Sequence, residues 1–135
     1  MDIETTKPTV TIRPRGRFAF DPRNQMDARE LLMELSSDKL DLALELPNPN
    51  QFSAQNALET LGIYITGVIS ATMMPLVVTD IYNGTKRFLV KRFEKRPQAN
   101  PTYVTIYGPD NTPIKSVLAK SADNIKDMPP PKPHY

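Results

Sequence analysis

The sequence predicts an α+β domain, two helices packed on a mainly antiparallel sheet, and three observations carry that expectation. Leu40, Leu42, Leu44 and Leu46 recur at strict period two, with Lys39, Asp41 and Glu45 on the opposite side, as in a half-buried strand. Upstream, Ala28, Leu31, Leu32 and Leu35 fall at i, i+3, i+4 and i+7, the apolar stripe of a helix. Downstream, Asn83-Gly84 separates two β-prone runs, Leu76 to Tyr82 and Thr85 to Phe93. That dipeptide suits a type I′ hairpin turn, where both central residues need positive φ.

Taken in order, residues 1–8 read as an extended arm. Thr9 to Arg13 alternates and is β-branched, a strand; Pro14-Arg15-Gly16 reads as a turn and Arg17 to Phe20 as a short return strand. Asp21-Pro22-Arg23-Asn24 breaks the chain. Asp27, with Glu30 three residues on, suits an N-cap and its capping-box partner, which places the first helix at about 27–37. The leucine strand follows over 39–46, and then the rigid loop Pro47-Asn48-Pro49-Asn50.

Ser53 is the expected cap of a second helix over 53–74, with Leu58, Leu61, Ile65, Val68, Ile69 and Thr72 on one face and Pro75 ending it. Gln55, Asn56, Glu59 and Thr60 form its polar side. The Asn83-Gly84 hairpin comes next. Thr102 to Tyr107, a turn at Gly108-Pro109-Asp110-Asn111 and Ile114 to Ala119 complete a C-terminal β-meander. A single domain thus spans 9–120, between the arm 1–8 and a proline-rich tail 121–135. Four of the fourteen prolines fall in the last seven residues, which should be extended and polyproline-like.

A chain of 135 residues is long enough to bury a core without staples, and its lack of cysteine removes disulfides, thiol catalysis and Cys-ligated zinc. The polar, acidic start Met-Asp-Ile-Glu does not resemble a secretion signal, so a virion or a cytoplasmic assembly is the expected location. The single histidine, His134, lies next to the last residue, which leaves no support for a histidine-based dyad or triad. There is no glycine-rich phosphate loop and no nucleophile elbow. Asp41 and Glu45 share a strand face two pleats apart, a solvated surface rather than a cation site. Accordingly, no catalytic residue, metal or cofactor is expected, and the chain reads as non-enzymatic.

Charge is polarised. Residues 1–59 carry seven basic and ten acidic side chains, whereas residues 80–135 carry ten basic and five acidic. Lys86, Arg87, Lys91, Arg92, Lys95 and Arg96 are interleaved with Phe88 and Phe93 along the expected hairpin. With Pro129, Pro130, Pro131 and Tyr135 of the tail, they form the expected partner-contact set. The resulting reading is a structural or assembly subunit of a multiprotein particle, most concretely a virion or phage head, tail or baseplate component. It would join protein subunits as a homo-oligomer or within a large symmetric assembly.

Two other readings stand beside it. The charge-free run Thr60 to Thr79, followed by basic residues, suits a single-pass membrane subunit spanning about 58–79, although Pro75 sits late in that run. A basic ribbon over 85–96 would suit nucleic acid, although each of its strand faces mixes basic and apolar residues.

Overall fold

The computed structural model describes residues 7–16, 22–46, 59–67 and 69–129. The expected return strand at 17–20, the loop 47–50, most of the N-terminal arm and the tail beyond Pro129 lie outside the described residues.

Strand β1 (Thr9–Gly16) runs straight through the expected turn. Val10 and Ile12 are fully buried, as the alternation requires. Pro14 is tolerated because β2 pairs with β1 only over Thr9 to Ile12, so the side facing Pro14 nitrogen needs no donor. Helix α1 (Pro22–Leu35) starts five residues before the expected cap, with proline at its first position, where an N–H has no partner to lose. Ala28, Leu31 and Leu35 form the expected stripe. Asp27 is no cap: it stands inside the helix, 3% exposed, and continues the buried face with Asn24.

Strand β2 (Asp41–Leu44) is shorter than the expected 39–46 and forms one edge of the sheet. Its alternation holds, with Leu42 and Leu44 half-buried and Asp41 and Ala43 exposed.

Strand β3 (Glu59–Thr66) replaces the middle of the expected second helix, whose expected start at 53–58 lies outside the described residues. Leu61, Ile63 and Ile65 are all fully buried at period two, and the β-branched isoleucines and Tyr64 favour a pleated surface. Helix α2 (Met74–Lys95) replaces the expected hairpin. Pro75 stands in its first turn and starts the helix rather than ending one. Val77, Ile81, Thr85, Phe88, Leu89, Arg92 and Phe93 make its buried stripe. Gly84 is a crossing point: a Cβ there would stand 2.6 Å from Cδ2 of Leu35 on α1. Asn83-Gly84 therefore serves helix packing, not a reversal of the chain. The charge-free run that the alternative reading took across a membrane is divided, in its described part, between β3, a connection and the start of α2. Among the described residues no helix is long and apolar enough to cross a bilayer.

Strand β4 (Thr102–Tyr107) lies where expected, and the turn after it is a short 3₁₀ segment in which Asp110 and Asn111 adopt φ of 63° and 58°. Strands β5 (Pro113–Ser121) and β6 (Asn124–Met128) follow, the latter in a stretch read as tail.

Among the described residues, six strands lie in the order β2-β1-β3-β4-β5-β6. The α+β class holds, but the sheet is mixed: β1/β2 and β3/β4 are parallel, and the other pairs antiparallel. Two β-α-β units, β1-α1-β2 and β3-α2-β4, meet through their first strands. The helices pack against each other and on one face of the sheet. Leu31, Ile81, Leu89 and Phe93 meet Val10, Ile12, Leu61, Ile63, Val104 and Ile106 in one continuous core. The parallel pairs follow from the helices between their strands, of which the sequence expectation placed the first correctly and the second, at 53–74, too early.

Candidate functional site

Helix α2 carries the basic residues that were expected to reach a partner, and α1 presents carboxylates to them. Glu34 accepts from Arg87 Nε at 2.6 Å and from Lys91 Nζ at 2.9 Å. These bonds, Lys91 first, hold its carboxyl below its ordinary pKa. Lys95 Nζ lies 2.6 Å from Glu30 and 3.6 Å from Asp27 Oδ1, and its pKa is raised chiefly by the bond to Glu30. The ammonium of Lys86 sits 5.1 Å from the Tyr82 ring centre. Phe88 and Phe93 are buried in the chain's own core. A basic ribbon free to meet a partner does not form, because the segment is helical and α1 neutralises much of it. Pro129 accepts a hydrogen bond from the Tyr103 hydroxyl at 3.5 Å, while Pro130, Pro131 and Tyr135 lie outside the described residues.

At the end of the sheet where β3 and β4 begin, Arg92 is 1% exposed. Its guanidinium donates to Asp27 Oδ2 at 2.6 Å, Asn24 Oδ1 at 2.8 Å and Thr102 Oγ1 at 3.2 Å, and also to Glu59. Arg96 donates to the same Asp27 oxygen. Glu59 Oε1 in turn accepts from Asn24 at 3.1 Å and Asn100 at 3.2 Å. Burial lowers the Arg92 pKa, opposed by the charges of Glu59 and Asp27. The cluster ties α1, α2, β3 and β4 together. Each carboxylate is held by a guanidinium, which fixes these four elements against one another. The sequence reading missed it, although the i, i+3, i+4 spacing of Arg92 with Phe88 and Leu89 carries the signal once the segment is read as helix.

A groove of about 710 Å³ opens at the opposite end, between the C-terminus of α1, the first turns of α2 and the start of β1. Leu35, Leu40, Ile69, Val77 and Ile81 line it with apolar surface, while Lys7, Asp38, Lys39 and Asp80 add charge. Met73 and Leu76 stand at its rim, 43% and 58% exposed. Two large, exposed apolar side chains thus border a concave surface that is partly apolar.

The sheet face away from the helices carries a ladder across four chain segments. Glu45, just past β2, bonds Arg13 of β1 at 3.3 Å; the Arg13 guanidinium lies 4.5 Å from the Tyr64 ring centre. Tyr64 of β3 stacks on Tyr107 of β4 at 4.4 Å and 5°. Gly62 makes room for this, since a Cβ there would stand 2.7 Å from the Tyr64 ring. Burial and the neighbouring Tyr64 push the Tyr107 hydroxyl up. Both faces of the Tyr64 ring are thus engaged within the chain. Among the described residues no group of His, Asp or Glu is arranged to hold a metal ion.

The chain matches no protein-family model, no curated protein and no solved structure.

Proposed function

We propose that this chain is a non-enzymatic assembly subunit that joins a multiprotein particle through protein contacts. A virion or phage head, tail or baseplate is the concrete setting. The observation that carries this reading is the apolar groove at the α1–α2–β1 end, with Met73 and Leu76 left in water at its rim. Covering a side chain such as Leu76 stabilises a contact by about 1.5–3 kcal/mol. The polar clusters elsewhere support the same reading, because their charges are already matched within the chain.

Leu76→Asp tests it. The position is exposed, so the variant should keep its thermal midpoint. Its assembled fraction, measured by sedimentation velocity over a concentration series, should fall well below that of the parent chain. An unchanged distribution would contradict the role given to the groove.

A further inference from the structure

The leucine strand has one property that a half-buried edge strand does not need. Leu40-Asp41-Leu42-Ala43-Leu44-Glu45-Leu46 reads nearly the same in both directions about Ala43, with Asp41 and Glu45 as equivalents. Among the described residues it is an edge, paired with β1 alone. The Asp41 N–H bonds to Pro8 and the Glu45 N–H to Ile12, at 3.0 and 2.9 Å. Odd-numbered residues therefore face β1. By the alternation of a strand, the N–H and C=O groups of Leu42 and Leu44 point away from the sheet. Leu40, Leu42 and Leu44 are only half-buried, and Leu46 is 41% exposed.

We infer that β2 pairs antiparallel with β2 of a second copy of this chain, about a two-fold axis at Ala43. The inference rests on the assembly reading above and names one of its contacts. A two-fold axis makes residue i meet j wherever j meets i, and about Ala43 it sets leucine opposite leucine at each inward position of this strand. Leu42 then exchanges both backbone hydrogen bonds with Leu44 of the second copy, and Leu44 with its Leu42. Leu40 lies opposite Leu46 on the same face. All four half-covered leucines gain apolar neighbours, and the helix layers of both copies stay on one side of a continuous sheet. Ala43, the smallest side chain of the run, sits at the axis.

On the other face Asp41 lies opposite Glu45 of the second copy. That Glu45 is already held by its own Arg13, as the 3.3 Å pair in this chain shows, so a cation stands beside the two carboxylates. The opposite edge is less suited. Self-pairing of β6 about its middle residue would set Lys126 against Lys126, a like-charge pair at the axis.

The chain has no cysteine, so one introduced thiol reports the register alone. Residues facing each other at the axis form a non-hydrogen-bonded pair with Cα atoms about 4.5 Å apart, within disulfide range. Ala43→Cys, an exposed position, should oxidise to a covalent dimer at least ten times faster than Lys126→Cys on the other edge. Equal rates, with the parent chain still assembling, would overturn the edge pairing and leave the assembly reading standing. A parent chain that sediments only as monomer would overturn both.

Discussion

At the scale of single residues, Arg92 is the buried cation that joins α1, α2, β3 and β4. Removing its guanidinium leaves Asp27 and Glu59 buried at 3% and 5% exposure, with Asp27 keeping Arg96 and Glu59 keeping only amide donors. Uncompensated buried charge is costly, so Arg92→Ala should lower stability by about 3–5 kcal/mol in chemical denaturation. A loss below 1 kcal/mol would show that the cluster is not the clasp described. Glu34 gives a pH signature. Its folded pKa is lowered, so its contribution is present above the unfolded value and is lost as pH falls through the folded one. Glu34→Gln should therefore be less stable than the parent at neutral pH and converge with it in acid; parallel stability curves would contradict the pairing. The apolar positions Leu31, Leu35, Leu42 and Leu44 were legible in the sequence because period alone identifies them. Asp27 was not, since an acidic residue before an apolar stripe suits a cap equally well until its partner is known, and that partner lies 65 residues away.

At the scale of elements, β1, α1, β2, β4 and β5 were legible and the middle of the chain was not. Segment 59–66 satisfies both periods: Leu61 and Ile65 are four apart, as in a helix, yet Leu61, Ile63 and Ile65 alternate. Pairing with β1 and β4 on either side decides in favour of the strand. Asn83-Gly84 misled for a related reason. The dipeptide favours a turn only if its flanks pair, and here Phe88, Leu89, Arg92 and Phe93 keep helical spacing that the core rewards. Gly84 is required by proximity to α1. In a Gly84→Ala and Leu35→Ala double-mutant cycle, the new methyl collides with Leu35 in the single variant and keeps only ordinary contacts, at 3.6 and 3.7 Å to Arg87 and Glu34, in the double. The two changes should couple favourably by about 0.5–3 kcal/mol. Additive effects would mean that the helices do not cross there.

At the scale of the molecule, the α+β class followed from the sequence, but strand order did not. Order is set by which faces the helices cover, a non-local outcome that no window of the chain contains. The assembly reading also belongs to this scale, because the groove and the β2 edge are created only when distant segments meet. The core of the described residues runs from Val10 to Ala119, and residues 1–6 and 130–135 offer it few apolar side chains. Deleting both should leave the thermal midpoint nearly unchanged and lower the assembled fraction; an equal fraction would remove the terminal arms from the contacts.

The most direct test of the central claim, that this is a subunit built to self-associate, is the mass of the intact chain in solution by light scattering across a concentration series. Species at even multiples of the 15.2 kDa protomer are expected, with the dimer as the smallest stable unit. A single 15.2 kDa species at every concentration would contradict it.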